Sequence, residues 1–234
     1  MKILSIGNSF SQNAQRYLHM IGQANNNEIK CVNLCIGGCT LRQHYLNAED
    51  NEKSYSFEFN GNDTGIKVSV KDALKSDEWD YVTVQQASHK SFDFDTYVPY
   101  ILKLKEYIKI YSPKTKIALH QTWAYTDTED VMKHFGFNST KEMFESVRKA
   151  YSEAEKVLEP EVVIKSGEAM LRAHEAIGRE LYSDALHASK GVGKYLLGCV
   201  WYKAFFGEAP QNDIKCFDAE VSEEQIRVIK QIIQ

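Results

Sequence analysis

Proline is scarce, at 4 of 234 residues, and with 43% hydrophobic and 26% charged residues the composition is that of an ordinary soluble globular protein. No apolar run approaches the roughly 18 residues that a membrane span needs. Positive charge is not in excess. The net charge is -4 and no basic cluster or arginine-rich stripe interrupts it, so neither nucleic acid nor an acidic membrane is an expected partner. The first residues also lack the charged, apolar and small-residue succession of a secretion signal. Lys2 is followed by four residues before Gly7, and these read as a core strand, which makes a cytoplasmic location the expectation. Cysteine is sparse too, at 5, and an odd number suits a reducing compartment. Cys31, Cys35 and Cys39 invite a metal reading, but on an extended segment four residues span about 13 Å at roughly 3.3 Å each, too far for shared ligation. No metal is expected there. What remains is a chain whose length fits one domain over residues 1–234 and whose partner is a small molecule or an uncharged polymer.

Apolar periodicity then alternates strand and helix. Strands are expected over 2–6 (KILSI), 29–35 (IKCVNLC), 80–84 (DYVTV), 115–120 (TKIALH) and 161–165 (EVVIK). Helices are expected near 12–25, 41–48, 96–111, 138–158, 166–178, 189–205 and 222–233. Residues 53–70 alternate polar and apolar side chains around Asn-Gly-Asn-Asp-Thr-Gly, which predicts a hairpin at the sheet edge. The fold class is therefore α/β, a three-layer sandwich around a central parallel sheet with a hairpin excursion. The glycines of GVGKYLLG, residues 191–198, resemble a nucleotide-binding run only superficially, because they follow no strand and lie inside a helix.

In such sheets ligands bind beyond the carboxyl ends of the strands. The segments to inspect are Gly7-Asn8-Ser9-Phe10, Gly37-Gly38-Cys39-Thr40, Gln85-Gln86-Ala87-Ser88-His89 and Gln121-Thr122-Trp123-Ala124-Tyr125, together with Tyr182-Ser183-Asp184-Ala185-Leu186-His187. A hydrolytic serine needs a base, an orienting acid and oxyanion donors. Ser9 lies where a strand turns into a helix, and Asp184 and His187 are three residues apart on one loop. The backbone N–H groups of Ser9 and Gly38 can converge, and an amide from Gln85 or Gln86 can add a third donor. Taken singly, each residue has a plainer reading. Ser9 can be a helix cap with Ser11 as an alternative, Asp184 a turn residue, and His187 a solvated side chain. Their order along the chain, Ser first and Asp-x-x-His last, favours the joint reading.

These blocks resemble the SGNH (GDSL-type) hydrolases. IGNSFS is similar to the first block, VNLCIGGCTL to the second through Asn33 and Gly38, and SDALHAS to the last through Asp184 and His187. The resemblance runs over about residues 2–207, closest to an uncharacterised bacterial branch. It implies a flavodoxin-like sandwich and serine hydrolysis of esters, often acetyl or acyl groups on carbohydrates or lipids. Two departures stand out. Asn8 replaces the aspartate of Gly-Asp-Ser, and QQASH replaces the third block, so the oxyanion donor passes to the amide of Gln85 or Gln86, with Ser88 the candidate after them. Trp123, with Tyr125, and His89 are the expected substrate-binding residues. Specificity is expected in the 49–70 excursion and in the 89–95 and 123–140 loops. The expected activity is a serine esterase acting on small acyl esters, acetyl foremost, with no metal or organic cofactor. A binding module without turnover, or a lysophospholipase or thioesterase, is the alternative.

Overall fold

A computed structural model describes residues 1–126 and 131–234. Its centre is a seven-stranded sheet whose strands lie in the order β4 (Asn62–Val68), β3 (Tyr55–Phe59), β2 (Lys30–Cys35), β1 (Lys2–Gly7), β5 (Tyr81–Val84), β6 (Lys116–Gln121) and β7 (Val162–Lys165). The parallel strands are β1, β2, β5, β6 and β7. Their near-continuous apolar runs suit strands covered on both faces, and Ile3, Leu4, Val32, Val82 and Leu119 are wholly buried. The expected α/β sandwich is the fold of this chain.

The hairpin of β3 and β4 pairs antiparallel with β2 and extends the sheet edge. Its turn is tighter than expected. Asn60 and Gly61 alone make it, both at positive φ (48° and 78°), which is the two-residue geometry that matches strand twist.

Five helices lie against one face: α1 (Ser9–Gln15), α2 (Leu18–Ala24), α8 (Ser166–Ile177), α9 (Val192–Phe206) and α10 (Glu223–Ile233). Against the other pack α3 (Leu41–Glu49), α4 (Val70–Lys75), α5 (Tyr100–Tyr111) and α7 (Thr140–Leu158). The short α6 (Val131–His134) precedes α7. The single helix expected over 12–25 is in fact two. Tyr17 interrupts it, because its hydroxyl donates to the Lys190 carbonyl (2.6 Å) and accepts from Asp218 N (2.7 Å). Periodicity does not report such a tertiary tether. The unforeseen α4 is a single capped stretch in which Ser69 Oγ accepts from Asp72 N at 3.1 Å. No helix among the described residues is long and apolar enough to cross a membrane.

Candidate active site

The site starts at the end of β1. Gly7 is required by close packing, since a Cβ there would lie 2.0 Å from Ser11 Oγ. Asn8, not Ser9, then caps α1. Its side-chain oxygen accepts from Phe10 N (3.0 Å), and Ser11 Oγ completes a reciprocal cap with Asn8 N (3.2 Å). The capping reading of Ser9 falls away, because the N–H groups it would have satisfied are already taken. Ser9 is the first helical residue, half-buried, with its hydroxyl turned to another partner.

That partner is His187, whose Nε2 lies 2.9 Å from Ser9 Oγ. On the far side of the ring, Nδ1 lies 2.7 Å from Asp184 Oδ2. Asp184 Oδ1 accepts the backbone N–H groups of Leu186 (2.9 Å) and His187 (2.7 Å). Burial is the largest single influence on Asp184 and raises its pKa. The backbone and imidazole N–H donors together outweigh it and hold the carboxyl below its ordinary value. The structure thus brings together the three residues expected to act in concert.

The loop carrying Asp184 and His187 is strapped from several directions. Tyr182 and Ala188 form an antiparallel bridge. Ala188 N donates to Asn13 Oδ1 on α1 (2.9 Å), Thr126 N to the Ala185 carbonyl (2.8 Å), and Trp123 Nε1 to the Leu186 carbonyl (2.7 Å). Phe10 stacks on Trp123 with ring centroids 4.0 Å apart. The segment after β6 therefore fixes both the imidazole loop and the residue next to Ser9.

This placement corrects two expectations. Trp123 is 1% exposed and supports the loop from beneath, so it cannot wall a substrate. Tyr125 is buried likewise, its hydroxyl 3.0 Å from Ser88 Oγ. The aromatic signal was real, but burial by the 182–188 loop is decided by tertiary packing. His89 stands half-buried in the 3-10 turn Ser88–Lys90, with no hydrogen bond to Ser9, His187 or Asp184 among the described residues. Burial, and then Lys90, lower its pKa. Of the segments expected to set specificity, residues 127–130 lie outside the described residues.

Gly38 follows β2 at the same rim, exposed, with φ +64°. A Cβ at Gly38 would meet nothing within 4 Å, so the need for glycine is conformational. The two rim turns are neighbours, because Gly7 pairs with Cys35 in the sheet and Asn8 Nδ2 donates to the Cys39 carbonyl at 3.2 Å. The backbones of the two turns therefore lie side by side at the rim.

The expected third donor is absent. Gln85 is 1% exposed, with Nε2 donating to Asn8 Oδ1 (2.8 Å) and Oε1 meeting His120 Nδ1 (2.6 Å). Gln86 is fully buried, with Nε2 donating to Thr96 O and Oγ1 (3.0 and 3.1 Å) and Oε1 accepting from Leu41 N and Ala87 N. Both amides are struts between rim loops. A longer side chain was expected to reach outward, but buried amides are drawn to the loop backbones that would otherwise lack partners.

Elsewhere, the thiols of Cys31, Cys35 and Cys39 are all pushed up to about 12 by burial, with Glu58 adding to the effect at Cys35. Among the described residues no three His, Cys, Asp or Glu side chains gather as a metal site. Asn13 was missed in the sequence, His120 is the hydrogen-bonded core residue that its place in a strand suggests, and Asn8 stood out only as a departure from Gly-Asp-Ser. Asn8 gave the one usable signal, an amide in the cap position before a short helix.

The profile of the DUF4886 family, described as a domain of unknown function, matches residues 2–232. A DUF4886 family protein from Bacteroides uniformis is similar in structure, with 28% identity and a TM-score of 0.91 over 100% of this chain and 93% of that one. A protein assigned to the SGNH hydrolases, from Slackia heliotrinireducens, shares 24% identity and a TM-score of 0.63 over 88% and 98% of the two chains. The Clostridium thermocellum family 3 carbohydrate esterase shares 13% identity and a TM-score of 0.55 over 88% and 96%. No curated protein matches the chain. The last two likenesses are of fold, and the fold is that of the SGNH hydrolases.

Proposed function

We propose that this chain, which belongs to the DUF4886 family, is a serine esterase of small acyl esters, acetyl esters on carbohydrates foremost. The observation that carries the reading is the unbroken line from Ser9 Oγ through the His187 ring to Asp184, at 2.9 and 2.7 Å. Ser9 Oγ attacks the ester carbonyl as His187 Nε2 takes its proton. Asp184 holds the Nδ1–H tautomer and stabilises the imidazolium that forms. Charge on the carbonyl oxygen is met by the N–H groups of Ser9 and Gly38. His187 returns the proton to the alcohol oxygen as the C–O bond breaks, leaving the acyl group on Ser9. Water, deprotonated by the same imidazole, then releases the acid.

The acetyl and carbohydrate part of the reading draws on the carbohydrate esterase of related fold. Hydrolysis of p-nitrophenyl acetate and covalent labelling by a fluorophosphonate test the chemistry. Both should occur in the wild type and vanish in Ser9→Ala. Equal rates in the two proteins would remove Ser9 from the mechanism. A panel of acetylated sugars, lysophospholipids and acyl thioesters tests the substrate class.

One observation favours a second reading, a binding module without turnover. Gln85 and Gln86 are both committed elsewhere, so neither expected amide is free for the oxyanion, and losing one such donor costs about 100- to 1000-fold in rate. Glycan binding with no hydrolysis across the ester panel would decide for it.

A further inference from the structure

A buried chain of side chains runs behind the serine and is not used by the proposed chemistry. It links Cys39, Asn8, Gln85, His120 and Ser166, drawing together the turns after β1 and β2, strand β6, the residue after β5 and the first residue of α8. Asn8, Gln85, His120 and Ser166 are each at most 1% exposed.

The direction of every bond in it follows from one end. A backbone carbonyl can only accept, so the Asn8 atom 3.2 Å from Cys39 O is the amide nitrogen. Asn8 Oδ1 is then the acceptor for Phe10 N (3.0 Å), and the Gln85 atom 2.8 Å from it must be Nε2. Gln85 Oε1 therefore faces His120 Nδ1 at 2.6 Å, which requires an N–H there. The neutral ring leaves Nε2 as acceptor for the Ser166 hydroxyl at 3.0 Å. Burial agrees, lowering the His120 pKa to about 3.

Asn8 immediately precedes Ser9, and Cys39 immediately follows Gly38. One side-chain amide thus sets where the nucleophile stands relative to the Gly38 N–H. Turning that amide over would put oxygen against the Cys39 carbonyl and nitrogen against the Phe10 N–H. Gln85 opposes the turn only while its own oxygen is claimed by His120. We infer that Gln85 and His120 are positioning residues that act through Asn8 to hold the Ser9 turn and the Gly38 turn in one register. This role rests on the esterase reading above.

Register between nucleophile and oxyanion donors matters in the transition state more than in substrate binding, and a misplacement of about 1 Å can cost on the order of 10²-fold. The test compares wild type, His120→Phe and His120→Asn with p-nitrophenyl acetate, well below each protein's melting temperature. His120→Phe keeps the ring shape without nitrogens and should lower kcat by about 10²-fold with KM within about threefold. His120→Asn restores an N–H toward Gln85 and should recover most of the loss. A folded His120→Phe with wild-type kcat, or a His120→Asn as slow as His120→Phe, overturns the inference. If His120→Phe does not fold, nitrogen-15 NMR of the wild-type imidazole decides. An Nδ1–H ring that stays neutral from pH 8 to 5 is required, and an Nε2–H ring or an imidazolium overturns it. Absence of turnover and of Ser9 labelling in the wild type instead sinks the esterase reading, and the positioning role with it.

Discussion

Asp184 grips His187 twice, with Oδ2 2.7 Å from the ring nitrogen Nδ1 and Oδ1 accepting the His187 backbone N–H at 2.7 Å. One carboxylate therefore sets both the tautomer of the ring and the path of the chain that carries it. Asp184→Asn keeps an acceptor for the backbone but can set an NH2 group against Nδ1, which favours the tautomer that cannot accept from Ser9. The expected loss in kcat is on the order of 10⁴-fold with the fold retained. Steady-state kinetics beside a circular dichroism spectrum checks this, and a loss under tenfold would remove Asp184 from the role.

Trp123 is expected to matter for rate without touching substrate. Trp123→Phe keeps an aromatic ring against Phe10 and removes the N–H that the Leu186 carbonyl accepts at 2.7 Å. The bond is part-buried, so its loss costs at most what a fully buried carbonyl left without its partner does, about 1–3 kcal/mol. The measurement is kcat and KM together, with kcat falling and KM unchanged. A rise in KM alone would return Trp123 to the substrate wall.

Gly38→Ala isolates the conformational demand at φ +64°, because a Cβ there meets nothing within 4 Å. A left-handed residue with a Cβ costs about 1–2 kcal/mol, and a domain of this size should melt about 2–8 °C lower. If the chain relieves this strain by turning the residue 38 N–H away from the oxyanion, kcat should fall by more than about tenfold. Calorimetry with the ester assay reads both effects.

Stability should fall on the acid side through two buried histidines that exchange no proton in the proposed reaction. His44 and His120 are wholly buried, and burial lowers each to about 3. In the unfolded chain an ordinary histidine titrates near 6.5. Between about pH 6.5 and 3 the unfolded state therefore binds more protons, and stability decreases as pH drops. The slope reaches about 1.4 kcal/mol per pH unit for each ring. Urea unfolding at a series of pH values measures it, and His120→Asn should remove the His120 share. A flat stability profile between pH 6.5 and 4 would contradict both burials.

Local chemistry was legible because it needs few residues. The alternation of apolar runs marked the five parallel strands to within one residue at each end. The Asn-Gly pair marked the hairpin, since both residues tolerate positive φ. Asp184 and His187 were legible as a pair because a three-residue spacing lets a carboxylate reach the next turn of its own loop. What misled were side chains judged by type alone. Gln85, Gln86 and Trp123 each had the chemistry for the site and were claimed by loops that the chain supplies from elsewhere.

By itself the sequence determined the layered α/β scaffold and the rim segments that carry chemistry, because hydrophobic period and turn residues act over a few positions. Only the tertiary structure decided which of those groups meet. Ser9 and His187 are 178 positions apart and stand 2.9 Å from each other. Whether an amide faces a substrate or a buried carbonyl depends on the nearest unsatisfied partner in space, and separation along the chain carries no record of that.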